Sequence, residues 1–152
     1  TAVLEGTKLA EYYFRGGYPQ LSQEEVLNYC ADALCRCHHA GVRVIRLGLH
    51  DTPSLREHLL AGYFHPAYGE LAESHLYLRQ LKEAAADCGK PELFVETAPR
   101  TMSKVLGQHG CNRNALAEQG VSLRVRENAA VAAGTILTEQ QVYEIFSERN
   151  QR

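Results

Sequence analysis

The sequence predicts a mixed α/β (α+β) protein built from two consecutive units, and three observations carry that prediction. Apolar and β-branched runs of strand length alternate with stretches whose apolar residues recur every three or four positions, the order expected of layered α/β folds. A Cys88-Gly-Lys-Pro91 break follows the longest helical stretch and divides residues 1–88 from residues 89–152. The composition, 45% hydrophobic and 22% charged over 152 residues, is enough for a sizeable core in one domain or two small ones.

Taken in order, Ala2-Val3-Leu4 reads as the end of a strand. The chain opens at Thr1 inside this apolar stretch rather than on a loose polar terminus, so the strand is expected to belong to a larger domain. Gly6-Thr7 leads into a short helix over residues 8–15, which Gly16-Gly17 stops. Ser22 and Glu25 stand at capping-box spacing. Behind them Val26, Tyr29, Cys30, Ala33, Leu34 and Cys37 form one apolar helix face, ended by Gly41. Residues 42–49, Val-Arg-Val-Ile-Arg-Leu-Gly-Leu, have the length and branching of a strand. Asp51-Thr-Pro53 opens a loop and a short helix, and residues 62–66 are irregular. A long helix over residues 67–87 then carries Leu71, Leu76, Leu78, Leu81 and Ala85 among its apolar positions.

The second unit has a compact order. Residues 92–96 predict a strand, 101–106 a short helix, 107–110 a turn, 111–119 a second helix and 121–126 a second strand. Thr135-Ile-Leu137 predicts a third strand. Thr138 and Gln141 are spaced to cap a final helix through Phe146, although Val142, Glu144 and Phe146 also fit strand alternation; the reading adopted is helix.

Several function classes fall away. There is no apolar run near twenty residues, so a membrane partner is not expected. Five cysteines, an odd number without a secretory feature, read as reduced thiols of a cytoplasmic protein. The formal net charge of −2 argues against coating nucleic acid by bulk charge. That total is unevenly spread, because residues 100–126 carry +4 and the remainder −6. Such asymmetry directs the search for an anionic partner to the basic stretch.

No metal ligand set is expected. Cys35 and Cys37 lie about 200° apart around a helix of 3.6 residues per turn, so Cys30, Cys35 and Cys37 read as packed thiols. Six of the seven histidines fall between positions 38 and 75, none paired at the i, i+4 spacing of a helical metal motif. His65-Pro66 stands out because it lies in an irregular loop before a helix. The sequence holds no phosphate-binding P-loop, no nucleophile elbow and no HExxH, so no catalytic residue is assigned.

Gly107-Gln108-His109-Gly110 is the strongest candidate site. Glycines at this spacing let a backbone pass close to a phosphate, with the amides of the following helix directed outward. Strand, helix, GxxG, helix, strand is the minimal order of a KH module, whose loop clamps the nucleic-acid backbone. Lys104 and Arg113 would neutralise phosphates, with Arg124 and Arg126 adding charge nearby. The competing reading is a pair of helices joined by a glycine turn that only packs, and Gln108 and His109 supply no cation at the centre of the loop.

Three blocks resemble the C-terminal part of radical SAM proteins related to the Elongator catalytic subunit. The first is Leu4-Glu-Gly-Thr-Lys-Leu-Ala-Glu-Tyr12, with Gly17-Tyr18 and Leu21-Ser22 beyond it. The second is Gly41-Val-Arg-Val-Ile-Arg-Leu-Gly-Leu49, and the third is Ala61-Gly-Tyr-Phe-His-Pro-Ala-Tyr-Gly-Glu-Leu-Ala-Glu-Ser74. The resemblance covers about residues 2–80. It implies a parent Fe–S oxidoreductase, of the oxygen-independent coproporphyrinogen oxidase-like group, that uses a [4Fe-4S] cluster and S-adenosylmethionine on a partial barrel. Residues 1–88 would complete that barrel and residues 89–152 would form the KH-like tail. The cluster motif C-x3-C-x2-C is absent here, so this chain is expected to bind neither cofactor alone. Its implied partners are the radical SAM barrel of the same polypeptide and an RNA, by relation tRNA. The alternative is a protein-interaction or packing module without nucleic-acid binding.

Overall fold

Hydroxyl side chains set where the first three helices begin. Thr7 Oγ1 accepts from Ala10 N at 3.2 Å and opens α1 (Lys8–Phe14). Ser22 and Glu25 form a reciprocal capping box that opens α2 (Gln23–His39). Thr52 Oγ1 accepts from Leu55 N at 3.1 Å, and Pro53 fills the first position of α3 (Pro53–His58), where a missing N–H costs nothing. The computed structural model from which these contacts come describes residues 1–147.

A two-residue strand, β1 (Val3–Leu4), pairs antiparallel with β2 (Leu59–Ala61). Val3 is fully buried there with Ala10 and Ala61, against Leu9, Tyr13 and Tyr18. The long helix α4 (Tyr68–Cys88) follows and ends on Gly89 in the left-handed conformation, φ 62°. Beyond it a second sheet has the order β4-β3-β5-β6. Its strands are β3 (Glu92–Thr97), β4 (Ser122–Glu127), β5 (Thr135–Leu137) and β6 (Val142–Glu144). β3 and β4 run parallel, so the chain between them must cross over. That crossover contains α5 (Met102–Leu106) and α6 (Cys111–Ala117). The expected strand-helix-helix-strand order is therefore present, in a mixed α/β architecture. Of the unit read over residues 89–152, residues 148–152 lie outside the described residues.

Alternation along β3 buries Leu93, Val95 and Thr97 and turns Glu92 and Phe94 outward. The buried face meets Leu76, Leu81 and Ala84 of α4, Val105 of α5, Leu116 of α6 and Ile136 of β5. Leu76, Leu81, Leu93 and Leu116 are among the fully buried side chains, each contributing about 1.5–3 kcal/mol. Ala31 and Cys35 of α2 join the same cluster. The principal core thus crosses the Cys88–Pro91 break, with α4 as its shared wall.

Three expectations are corrected. Residues 42–49 form no strand; their backbone is irregular, and Val42, Val44 and Ile45 are exposed, Ile45 to 90%. Strand propensity acts through packing against neighbours, and among the described residues no strand lies against this run. The final helix over residues 138–146 is instead a hairpin. Thr138 Oγ1 accepts from the amides of Gln140 and Gln141, turning the chain so that β6 returns antiparallel to β5, and Val142 and Tyr143 follow the alternation. Finally, α2 buries Ala31 and Cys35 most deeply; of the predicted stripe Leu34 packs against the same core, while Tyr29 is left 66% exposed. Both faces of α2 carry apolar residues, and α4 covers only one.

Candidate functional site

The Gly107–Gly110 turn is a single turn of 3-10 helix, closed by Gly110 N donating to Gly107 O at 2.9 Å. His109 sits inside it at φ 52°, a left-handed value uncommon for a residue with a side chain. The two glycines have different reasons to be there. A Cβ on Gly107 would lie 2.4 Å from Cys111 Sγ and 2.8 Å from the backbone nitrogen of Asn112, at φ +79°. One on Gly110 would meet nothing within 4 Å, so only its φ of +76° favours glycine. The first glycine lets α5 and α6 approach; the second lets the chain turn.

Asn112, which the sequence reading did not single out, locks this joint. It is 2% exposed, and its Nδ2 donates to Ser74 O at 2.9 Å and Val105 O at 3.1 Å, with Ser74 Oγ and Lys104 O also in range. Ser74 Oγ in turn donates to Lys104 O at 2.8 Å. The carbonyls at the end of α5, which helix geometry leaves without partners, are satisfied by α4 and α6. The only sequence signal was an amide residue in the first turn after a glycine.

Lys104, Gly107, Gln108 and His109 come together along one cleft of about 210 Å³, whose far wall includes His65 and Glu70. His65, noted from its loop position, therefore faces the glycine turn across the chain. Its Nδ1 accepts from Ala67 N at 3.1 Å, which leaves Nε2 as the donor of the neutral ring. Gly110 closes the turn beside the cleft. Arg113 stands apart, exposed and lining a separate hollow with Pro91, Asn114 and Ser122.

Most of the positive charge in residues 100–126 is compensated from outside that stretch. Lys104 pairs with Glu73 of α4, and this contact raises the lysine's pKa. Arg124 pairs with Glu92, and Arg126 with Glu96. Arg126 also lies 5.4 Å from the centre of the Phe94 ring. Asn128 and Arg126, donating to Glu96, hold its carboxyl below the usual carboxylate range. Among the described residues Arg100 and Arg113 form no ion pair. A local +4 is thus largely neutral in three dimensions.

A polar joint ties α2 to α4. Asn28 Oδ1 accepts from His75 Nε2 at 2.8 Å and from Arg79 Nη2 at 2.7 Å, and Arg79 Nη1 contacts Asp32 at 2.6 Å. Burial, reinforced by the Arg79 charge, lowers the His75 pKa.

The donor set does not fit an iron–sulfur cluster. The five cysteines are unbridged. Among the described residues no group of three or more His, Cys, Asp or Glu side chains is placed to hold a metal ion. Cys35 is buried against the core, with Ile145 O 3.9 Å from its sulfur, and desolvation raises its pKa, which disfavours the ligating thiolate. Among the described residues no helix is long and apolar enough to cross a membrane.

A family model described as the Radical_SAM C-terminal domain matches residues 1–79. That match contains all three blocks on which the sequence resemblance rests, and it ends within α4. No curated protein and no solved structure matches the chain.

Proposed function

The chain belongs to the radical SAM C-terminal domain family, and from that premise we propose that it is an accessory docking region of a radical SAM oxidoreductase. Residues 1–88 rest against the radical SAM barrel of the same polypeptide, and residues 89–152 form an appended unit carried on α4. Family membership implies that the parent uses a [4Fe-4S] cluster and S-adenosylmethionine. The cysteines present here do not fit the role of cluster ligands among the described residues, so the radical chemistry is assigned to the radical SAM region.

The observation that carries this reading is the distribution of exposed apolar surface. Of eleven large hydrophobic residues exposed among the described residues, nine lie between Tyr12 and Tyr63, inside the family match. Exposed apolar side chains gathered in the family-matched part of the chain support a covered face there. The test is to place a protease site before Thr1 in the polypeptide that carries both regions, cleave it, and follow the two pieces by size-exclusion chromatography. Continued co-elution supports docking. Clean separation at micromolar concentration overturns it.

A second reading, RNA positioning by a KH-like unit, is favoured by the cleft that gathers Lys104, Gln108 and His109 beside the glycine turn. Arg113, free of any carboxylate among the described residues, would add a phosphate contact. Against it stand the ion pair on Lys104 and the packing reason for Gly107. The test is salt-dependent binding of tRNA or short RNA by the intact polypeptide. Gln108→Glu with Lys104→Gln, both lining the cleft, should weaken binding at least about tenfold if the cleft holds phosphate; unchanged affinity removes this reading.

A further inference from the structure

β4 is an outer strand of the four-stranded sheet, and among the described residues it pairs with β3 alone. Two bonds that frame it fix its hydrogen-bonding directions. Ser122 N donates to Pro91 O and Asn128 N to Thr97 O, both at 2.8 Å. Backbone groups alternate in direction along a strand, so Ser122, Arg124 and Arg126 turn theirs toward β3. The N–H and C=O groups of Leu123, Val125 and Glu127 then face the open side. An open edge of this kind is a template for another extended chain.

Arginines stand on both faces of this edge. Arg124 and Arg126 are exposed on the face away from the helices, and each is bridged to β3, Arg124 to Glu92 and Arg126 to Glu96. Carboxylates on an added strand would continue this acid–base alternation, because opposite charges on directly opposed residues attract. On the helix side a hollow of about 400 Å³ borders the start of β4, lined by Ala117, Val121 and Leu123. Arg113 lines it too, exposed and in no ion pair among the described residues. The acidic residue of the strand, Glu127, lies at its end and accepts from Arg100 N at 2.9 Å.

A second copy of the chain does not fit this edge. Two β4 strands paired antiparallel keep their helices on one side only when residues of the same face oppose each other. In the registers of greatest overlap Arg124 then opposes Arg124 or Arg126 of the copy, and like charges directly opposite are destabilising.

We propose that the open edge of β4 takes an extended acidic segment of a partner protein as an added strand, with carboxylates at alternate positions opposite Arg124 and Arg126. A side chain on the segment's other face enters the hollow beside Arg113. This surface lies beyond the family match, which ends at residue 79, so it stands or falls separately from the docking reading.

The experiment adds a peptide alternating glutamate with valine to the polypeptide carrying both regions, with a lysine–valine peptide as control, and reads residue-resolved hydrogen exchange. Strand addition predicts slowing of at least about tenfold at the Leu123, Val125 and Glu127 amides, while those of Arg124 and Arg126, already turned to β3, change little. Arg124→Gln with Arg126→Gln should weaken peptide binding at least about tenfold. Val125→Pro, which removes an outward N–H and no bond to β3, should do the same. Binding without the alternating protection overturns strand addition, as does no binding at about 1 mM peptide. Equal binding of the lysine–valine peptide, or full affinity in the arginine double variant, overturns the acidic assignment. A dimer in sedimentation whose edge amides are protected before any peptide is added overturns the choice of a partner over a second copy. Protection by a short RNA and not by the peptide gives the edge to nucleic acid and overturns the proposal.

Discussion

Replacing Gly107 by alanine separates a glycine needed for packing from one needed for turning. The added methyl must share space with Cys111 Sγ at 2.4 Å, Asn112 N at 2.8 Å and Asn112 Cγ at 2.9 Å. The backbone there has φ 79° and ψ 159°, a region that only glycine populates freely, at a cost of about 1–3 kcal/mol. Overpacking adds a further cost of about 1–3 kcal/mol. Gly110, at φ 76° and ψ 20° with no neighbour within 4 Å, pays only the left-handed penalty of about 1–2 kcal/mol. Gly107→Ala should therefore destabilise the chain by about 2–6 kcal/mol and Gly110→Ala by about 1–2 kcal/mol. Urea denaturation of both variants, with an unchanged m-value, measures the difference. Adding Cys111→Ala to Gly107→Ala should recover part of the loss and no more, because the backbone nitrogen of Asn112 stays in the way. Equal costs at the two glycines would refute the packing account of the turn.

Other outcomes follow from the polar joints. Asn112→Ala should cost about 2–3 kcal/mol in thermal or chemical denaturation, since Ser74 O and Val105 O lose a buried donor. Ser22→Ala should cost about 1 kcal/mol, read as earlier melting, because the hydroxyl that accepts from Glu25 N is lost while the Ser22 backbone amide still donates to Glu25. The lowered His75 pKa means that the unfolded chain takes up a proton which the folded chain resists. Stability present at neutral pH should then be lost as pH falls through the ordinary histidine value of 6.5 and below, and His75→Gln should flatten that slope in denaturation midpoints measured from pH 7.5 to 5. Glu73→Gln, by releasing Lys104 from its ion pair, should strengthen RNA binding if the cleft takes phosphate; no gain in affinity would count against the nucleic-acid reading.

Local signals were legible where a few neighbouring residues suffice. Ser22 with Glu25 announced the start of α2, Gly89 the end of α4, and the alternation of Leu93 and Val95 the buried face of β3. The strand-helix-helix-strand order around the glycine turn was legible for the same reason. Misreadings arose where the deciding partner lies far along the chain. Thr138 bears the same hydroxyl whether it caps a helix or a hairpin turn, and pairing with β5 decided for the hairpin. The buried face of α2 is centred on Ala31 and Cys35, with only Leu34 of the predicted stripe joining them, because α4, some forty residues later, chooses which face is buried.

What the sequence by itself determined is the family, the mixed α/β class, and the absence of a cluster motif among its five cysteines. Each of these is a property of residue order. The tertiary structure decided how the charges are spent: Lys104, Arg124 and Arg126 look like a basic patch along the chain but are paired with Glu73, Glu92 and Glu96 in space. It also decided that His65 faces the glycine turn, and that among the described residues the strand-like residues 42–49 pair with no strand. The physical reason is common to all three. Charge compensation, cleft formation and strand pairing are two-body interactions, and their second body is set by the fold rather than by adjacent sequence.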